Sequence, residues 1–482
     1  MSLTSQDPSM MDKPVNESTA TERDTPPVVR DLTYAQIMFV AAAIGLMGGL
    51  VATAYYYLLE GSLHLVWQQV PEKLAAYFPA ELWPAGFWPA EFWPAEFWVN
   101  HYVWIAATIG GLLVGLTLHY MGLPGEVAFV VDKVHDPGRI DMKQTPAMIV
   151  ASLFSIVAGG SAGPEAPLVQ VNGSLGGWLG TRLKLSLPMV RILTFCGMSA
   201  ALGAFFGAPL GGALFALEIP HRRGLEYYEA IIPAVLSAIL SFTVFRLTTG
   251  LSIGGMYHFT SIPPLTLTHL LEGAILGAVG AAVALLFVLV FRVVGYLTEP
   301  LHHQTILLAT LGGLSIGLIA LVFPQTLFFG EKQIDEIIEQ GASYGIALLL
   351  MIGLAKMLAI SCTLHSGFRG GFIFPLFYIG AAVGLAISLG FPQIHPTIGM
   401  VCLMAAVNVA ITKTPVSTTI ILSVIADTSM VPVIVIASFT SFLLTTQVSL
   451  IKTQRSRSIA AGESRLVMAE ESRFISQPAS AG

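Results

Sequence analysis

The feature that most restricts how this chain can fold is a long, almost uncharged stretch in its C-terminal half. Between Phe374 and Leu450, only Lys413 and Asp427 carry a formal charge. Charged residues make up 11% of the chain and hydrophobic residues 54%, whereas soluble domains contain about 25% charged residues. The segments also lack the alternating polarity of a transmembrane barrel. The sequence therefore predicts an integral membrane protein built from α-helices.

The apolar segments of the chain differ widely in length. One helix needs about 20 apolar residues to cross a bilayer, and several segments are shorter while others exceed one span. Uneven lengths are typical of tilted and half-membrane helices, so we expect an all-α polytopic fold with broken helices. The predicted segments are 34–59, 102–120, 147–158, 190–218, 229–250, 265–297, 304–323, 345–364, 374–391, 397–411 and 414–451.

Two parts of the chain share one pattern of small and interrupting residues. Apolar segments interrupted by Gly and Pro, at corresponding places in two hydrophobic halves, point to a central binding site in a membrane transport protein. We expect a first membrane repeat over residues 33–250 and a second over residues 251–452. The matching positions are Gly163, Pro167, Leu168 and Gly176 with Gly371, Pro375, Leu376 and Gly384, and Cys196, Met198, Ala200, Ala204 and Pro209 with Cys402, Met404, Ala406, Ala410 and Pro415.

Both ends of the chain are polar. Residues 1–32 are rich in Pro, Ser, Thr and acidic residues, which predicts a disordered tail without a cleavable signal peptide. Residues 453–482 contain several arginines and no long apolar run, and basic residues close to a span favour the cytoplasmic side. We therefore expect both tails in the cytoplasm.

A five-residue repeat with the pattern Trp-Pro-Ala occupies residues 82–98. Repeated proline excludes a regular helix, and tryptophan favours the membrane interface. We interpret this segment as an interfacial loop after the first span. A ligand-binding role for its aromatic side chains is the alternative.

The three cysteines, Cys196, Cys362 and Cys402, all lie in apolar segments. Their odd number and predicted burial argue against a disulfide framework and against a metal site. We expect them to be small buried residues, and we expect no metal and no cofactor.

Glu165 is the leading candidate for a functional side chain. It lies in the Gly- and Pro-containing break at 163–167, and an apolar segment follows it. A charged residue within a bilayer costs roughly 2.5–3.5 kcal/mol on insertion scales, so it usually has a task. Pro167 can occupy the first turn of a helix, whose free N–H groups attract an anion. The Glu165 carboxylate and an external anion could compete for these groups, so we interpret Glu165 as a gate, with a simple capping role as the alternative.

The second copy of the motif has no acidic residue. Phe372 and Ile373 occupy the positions around the equivalent of Glu165. Their side chains cannot bind an anion, but their backbone N–H groups can. The repeat therefore predicts two helix N-termini, one from each half, that face a single site. The alternative is a packing contact made by Gly-Gly-Phe.

These motifs, taken together and in order, resemble the CLC family of chloride channels and proton-coupled chloride antiporters over residues 33–452. The family's first signature corresponds to Tyr-Met-Gly-Leu-Pro at 120–124 and its second to Gly-Pro-Glu-Ala-Pro at 163–167. Its third corresponds to Gly-Gly-Phe-Ile-Phe-Pro at 370–375. The segment at 207–218, which begins Gly-Ala-Pro-Leu, is also similar.

The resemblance implies a fold, an assembly and a set of partners. It implies an inverted-topology repeat, a homodimer with one anion pathway in each subunit, and the plasma membrane of a prokaryote. It also implies that Glu165 matches the external gating glutamate and that Phe372 and Ile373 donate N–H groups to the central anion. The expected partners are small inorganic anions, membrane lipids and, in an exchanger, protons, but not nucleic acid.

Several positions depart from the family pattern. Met121, beside Gly122, takes the place of the family's central serine, and Val448 takes the place of its late tyrosine. The resemblance therefore gives Met121, Gly122, Phe372, Ile373 and Val448 as the anion-binding set, with backbone amides as the main donors. Family branches that handle fluoride also carry methionine at the serine position, so fluoride joins chloride as a candidate.

The pair Glu218-Ile219 bears on proton coupling. Many exchangers of the family carry two acids here, and the second is the internal proton acceptor. Isoleucine cannot relay a proton, which favours a passive channel or a loosely coupled transporter over a strict antiporter. A proton path through Glu165 and Glu218 is the alternative. Glu218 could equally form an ion pair with the basic residues at 221–223.

Lys413 has two interpretations of equal weight. It could attract anions to an entrance, or its ammonium group could reach the interface while its stem stays in lipid.

An enzyme is the rival class of protein. The pattern Gly-Leu-Ser-Ile-Gly occurs at 250–254 and at 313–317, and such a pattern can present a nucleophilic serine, here Ser252 or Ser315. No histidine partner is evident on a neighbouring segment. We therefore expect a transport protein and not an intramembrane serine hydrolase.

Overall fold

The structure, a computed structural model, describes residues 31–77, 95–122, 125, 127–225, 227–252, 256–259 and 263–455. This part of the chain is mostly α-helical and contains no strand beyond isolated bridges, as the sequence predicts. Nine of its helical segments are long and apolar enough to cross a membrane. In chain order the α-helices are α1 Tyr34–His64, α2 Val70–Tyr77, α3 Ala95–Met121, α4 Val127–His135, α5 Thr145–Val157, α6 Glu165–Arg182, α7 Leu187–Phe206, α8 Pro209–Glu218, α9 Ile231–Thr249, α10 Leu267–Thr298, α11 Thr305–Val322, α12 Glu331–His365, α13 Ile373–Gly390, α14 Pro396–Thr412, α15 Pro415–Ile425 and α16 Val431–Thr445.

Three features expected from the sequence either differ in the structure or lie partly outside its described residues. The predicted loop at 82–98 lies mostly outside the described residues, but α3 already begins at Ala95, because no proline follows Pro94 to interrupt it. A helix with Pro167 in its first turn was predicted, and the structure confirms it as α6, Glu165–Arg182, but the predicted apolar segments do not include it. This helix contains several polar residues, which are buried among other helices and so do not mark it as apolar. The tails before residue 31 and after residue 455 lie outside the described part.

Both halves contain the same break between two short helices. α7 ends at Phe206, and Gly207 follows with the left-handed φ of 65°; α8 then starts at Pro209. α14 ends at Thr412, and Lys413 follows with a left-handed φ of 62°; α15 then starts at Pro415. Left-handed residues end helices, and proline suits the first helical position. The first break therefore divides the predicted segment 190–218 into α7 and α8, and the second separates the predicted segments 397–411 and 414–451. The segment 414–451 is itself divided between α15 and α16 by a short turn at Thr428–Met430.

The two halves also share a packing scheme. α1 packs against α7 and α9, and α10 packs against α14 and α16. Glycines permit these close contacts: a Cβ atom on Gly49 would lie 2.7 Å from the Ser241 carbonyl oxygen, and one on Gly277 would lie 2.7 Å from the Ala437 carbonyl oxygen. Small residues let helices approach in lipid. The matching neighbours support a duplicated architecture, while the boundaries at residues 250 and 452 stay a prediction.

The direction of the first helices defines two opposite faces. Tyr102, near the start of α3, donates to the carbonyl oxygen of Val66, which follows α1, and its ring contacts Trp67. α3 therefore begins where α1 ends and runs back. We call the face where α1 begins and α3 ends the α1-start face, and the opposite one the α1-end face.

Candidate functional site

Glu165 lies at the start of α6 and is 1% exposed. Its Oε1 atom accepts a hydrogen bond of 3.0 Å from the backbone N–H of Ile373, the first residue of α13. Its Oε2 atom has no hydrogen-bond partner among the described residues. A buried carboxylate from the first half therefore binds a helix N-terminus of the second half, which is the juxtaposition that the repeat predicts.

The two helix starts are held together by their backbones. Gly163 N–H donates to the Gly371 carbonyl oxygen at 2.8 Å, and Gly371 N–H donates to that of Gly163 at 2.7 Å. A Cβ atom on Gly371 would lie 2.4 Å from Cδ of Glu165, so the side chain of Glu165 needs glycine there. The start of α6 and the start of α13 therefore form one rigid joint.

A small cavity lies beside Glu165. Its volume is about 40 Å³, room for only one or a few water-sized spheres. Glu165 is the one titratable side chain among the described residues that line it. The other lining residues are small or apolar, namely Val127, Val130, Val131, Ala166, Val169, Met198, Leu202, Phe215, Ile219, Gly371, Phe372 and Ile373.

A larger cavity of about 390 Å³ adjoins the small one and shares Val127, Val130, Ala166 and Phe372 with it. Its lining includes Leu118, near the end of α3. This larger cavity therefore lies toward the α1-start face.

A third cavity of about 210 Å³ lies on the other side of Glu165. It is lined by the flanking residues Pro164 and Leu168 and by Leu59 and Glu60 near the end of α1. It therefore lies toward the α1-end face. Glu165 occupies the narrow region between cavities that approach from opposite faces.

The structure does not bring the whole predicted anion-binding set to this region. Met121 ends α3 and is 47% exposed, and Gly122 has a left-handed φ of 92° with open space around it. Val448 is half-buried, and its N–H donates to the Thr445 carbonyl oxygen. None of the three lines the cavity that contains Glu165. Phe372 and Ile373 do line it, so only this part of the set is gathered, and the assignment of the other three stays a prediction from the resemblance.

Glu218 makes a second contact between a carboxylate and a helix N-terminus. It is 6% exposed, and its oxygens accept from the N–H of Val416 at 3.2 Å, the N–H of Ser417 at 2.8 Å and the hydroxyl of Ser417 at 2.6 Å. The carboxylate of Glu218 is therefore bound by the start of α15 and not by the basic residues at 221–223. Ile219, by contrast, faces the cavity that contains Glu165.

Lys413 matches neither of its predicted roles. It is 2% exposed, and its Nζ atom donates to the Ala410 carbonyl oxygen at 2.5 Å and to the Thr445 carbonyl oxygen at 2.6 Å. The ammonium group thus binds helix-end carbonyls in the interior and neither opens an entrance nor reaches the interface. The reason is the left-handed turn after α14, which directs the side chain toward the end of α16.

Lys356 is a buried charge that sequence reasoning missed. It lies within α12, is 0% exposed, and donates to the carbonyl oxygens of Thr326 and Phe328. The signal was available, because a single charged residue inside the predicted apolar segment 345–364 is rare without a role.

The rival serine motifs do not have the geometry of a nucleophile. Ser315 lies inside α11, and its hydroxyl donates back to the Leu311 carbonyl oxygen at 2.8 Å. Ser252 lies in the loop after α9 and lines the cavity toward the α1-end face. A nucleophilic serine of this motif requires a sharp turn between a strand and a helix, which Ser315 lacks because it is inside a helix; the residues that follow Ser252, 253–255, lie outside the described part.

The broken helices, the buried carboxylate and the opposed cavities define an integral membrane protein of the transport class. The family described as "voltage gated chloride channel" matches residues 110–446, and the chain belongs to this family, the CLC family. Its members are channels or transporters and not enzymes. The motifs that carry the resemblance in the sequence are confirmed by this match.

Individual relatives agree with the family match. The chain is 28% identical over 366 residues to a chloride/fluoride channel protein of Pseudomonas syringae pv. tomato, covering 73% of this chain and 78% of that protein. Its fold is similar to the crystal structure of a CLC-type fluoride/proton antiporter, with a TM-score of 0.72 and 19% identity, covering 88% of this chain and 100% of that one. A slow cyanobacterial Cl⁻/H⁺ antiporter gives a TM-score of 0.71 and 21% identity, covering 86% and 96%.

Proposed function

We propose that this protein carries small inorganic anions, chloride or fluoride, across the membrane through the site that the Glu165 carboxylate now occupies. The observation that carries the proposal is the 3.0 Å hydrogen bond from the Ile373 N–H to Glu165 Oε1. A carboxylate there occupies a donor that an anion in transit would need. Cavities toward both faces supply the approach.

The chemistry of the start of α13 suits an anion. Free N–H groups and the helix dipole stabilise a negative charge by about 0.3–1 kcal/mol at exposed sites and up to about 2 kcal/mol at partly buried ones. An anion and the ionised Glu165 compete for the same donors. Protonation of Glu165 removes its charge, weakens its hold on the Ile373 N–H and leaves the donor to the anion, so Glu165 acts as the gate.

We further propose that transport is passive or only loosely coupled to protons. The small cavity beside Glu165 is lined otherwise by apolar or small residues, among them Ile219 at the position of the family's internal acid. Glu218 directly precedes Ile219 in the sequence, and both of its carboxylate oxygens accept hydrogen bonds from N–H groups at the start of α15. Apart from Glu165, none of the described residues that line this cavity has a titratable side chain to carry a proton onward.

A proton-coupled chloride or fluoride antiporter is the second candidate. It is favoured by the buried carboxylate at the central site and by the two structural relatives, which are described as antiporters.

Purified protein in liposomes distinguishes these functions. Chloride or fluoride efflux and proton movement are recorded together under an outward anion gradient. We expect anion efflux that exceeds proton uptake and continues when the proton gradient opposes it. Proton uptake at a fixed ratio to the anion, driven uphill, would establish the antiporter instead. No anion flux from well-folded protein would contradict anion transport altogether.

We also propose a homodimer with one pathway in each subunit, located with surrounding lipids in a prokaryotic plasma membrane and with both termini in the cytoplasm. The bacterial relative and the family membership support this assignment. Chemical cross-linking in native membranes and protease access to each terminus in oriented vesicles test it. Protein that runs only as a monomer after cross-linking would contradict the homodimer. Termini on opposite sides of the membrane would contradict the proposed topology.

A further inference from the structure

Lys356 is a basic side chain in the interior of the protein, without an acidic partner among the described residues. Its side chain is fully buried on α12, and it forms no ion pair with any carboxylate of the described residues. A buried charge is expensive unless polar groups compensate for it. Here the compensation comes from carbonyl oxygens, which solvate the ammonium group but do not cancel its charge.

The ammonium group of Lys356 donates hydrogen bonds to the carbonyl oxygens of one short loop. Nζ lies 3.0 Å from the carbonyl oxygen of Thr326 and 2.8 Å from that of Phe328. Phe328 adopts a left-handed backbone with φ of 57°, and its N–H donates to the Gly159 carbonyl oxygen. The loop therefore joins α12 to the segment that leads to Glu165.

The residue after this loop reaches the site itself. Phe329 lines the cavity toward the α1-end face, and its ring lies 6.0 Å from that of Phe374, the second residue of α13. Lys356 thus fixes a loop whose next residue covers the start of α13 from the α1-end side.

The ammonium group also lies close to α13 directly. Nζ is 5.1 Å from the ring centroid of Tyr378, a fully buried residue of α13. Tyr378 follows Ile373 by little more than one helical turn, about 7.5 Å along the axis. In an effective dielectric of about 20, a unit charge at a distance on the order of 15 Å changes the affinity of an ion by roughly five- to tenfold.

We propose that Lys356 is a specificity-determining residue for the anion transport proposed above: its buried ammonium group, held by carbonyl oxygens and not by a carboxylate, is positively charged, stabilises an anion at the start of α13 and opposes a cation there. The inference rests on that proposed function and adds the source of its charge selectivity. Because the charge is buried, dissolved salt screens it much less than a surface charge.

Three substitutions separate the charge of Lys356 from its hydrogen bonds. Lys356→Gln keeps an NH₂ donor for the loop carbonyls but is neutral, Lys356→Arg keeps the charge, and Lys356→Met removes both. Lys332→Gln is the matched control, since Lys332 is on the first turn of the same helix with its side chain 82% exposed. Size-exclusion profiles and thermal unfolding identify folded variants, and the Gln and Arg pair suffices if the Met variant does not fold.

The measurements are the half-saturating chloride or fluoride concentration and the anion-to-potassium permeability ratio, in liposomes at two ionic strengths. We expect Lys356→Gln to raise the half-saturating concentration by roughly five- to tenfold, with a reduced permeability ratio at both ionic strengths. Lys356→Arg should stay near wild type, and Lys332→Gln should change little. A Gln variant with wild-type values would overturn the inference, because the loop contacts alone would then account for the residue. Absence of flux in wild type would refute the proposed function itself.

Discussion

Four buried charged side chains, Glu165, Glu218, Lys356 and Lys413, are each bound by main-chain groups in this protein. The two carboxylates accept from N–H groups at the starts of helices. The two lysines donate to carbonyl oxygens at helix ends or in a loop. Each arrangement satisfies the polar atoms of a buried ionisable group with main-chain dipoles, which reduces the cost of burying it. At the scale of single residues, Glu165 differs from the others because one of its oxygens has no partner among the described residues.

Replacement of Glu165 by glutamine tests the gate. The amide has no charge at any pH and mimics a protonated carboxyl group. In wild type we expect anion flux to rise as the pH falls, by up to roughly tenfold per unit over the range in which the carboxylate takes up its proton. In Glu165→Gln we expect flux that is high and nearly independent of pH, measured as efflux from liposomes across a pH series.

Glu339→Gln provides the control for this substitution, because Glu339 is an exposed carboxylate on α12. It should retain the wild-type pH profile. An unchanged pH profile in Glu165→Gln would show that another group controls the flux.

At the scale of the elements, two helices of the second half each begin at a carboxylate that belongs to the first half. α13 starts against Glu165 and α15 starts against Glu218. α8 and α15 also pack against each other. The same kind of joint therefore occurs twice, and the joint at Glu165 borders the small cavity. Glu218 joins the two halves through a contact that Ser417 completes with its hydroxyl.

The joint at Glu218 should contribute to stability more than to gating. Glu218→Ala leaves buried N–H groups of α15 without an acceptor, at about 1–3 kcal/mol for each unsatisfied group. We expect a lower free energy of unfolding and a lower Tm in detergent, with the pH profile of flux unchanged in the folded fraction. Glu229→Gln, an exposed acid between α8 and α9, is the control and should not shift Tm. A flattened pH profile with normal Tm would assign Glu218 to the proton path instead.

At the scale of the whole molecule, local sequence patterns predicted those structural features that depend on residues close together in the chain. Hydrophobicity indicated the membrane fold, and the Gly and Pro breaks indicated where Glu165 and Ile373 would begin helices. The contact of Lys413 with the Thr445 carbonyl oxygen was not predictable, because the end of α16 reaches Lys413 only after distant helices pack. The extent of helix α6 was not predictable for a related reason: its polar residues are buried by other helices, and no periodicity within the helix records that environment.

The anion pathway through the whole molecule allows a test of proton coupling at Ile219. The described lining of the cavity beside Glu165 contains Ile219 but no second acid, and the resemblance to the family implies that many exchangers carry an acid at this position. Ile219→Glu would place a second titratable carboxyl group in that cavity, so that protons could move between it and Glu165. We expect this variant to show proton movement driven by a chloride or fluoride gradient, recorded together with anion efflux in liposomes. Ile219→Gln adds a similar volume without a titratable group and should leave proton movement at the wild-type level. Equal proton movement in the two variants would mean that the apolar lining at this position does not set the coupling.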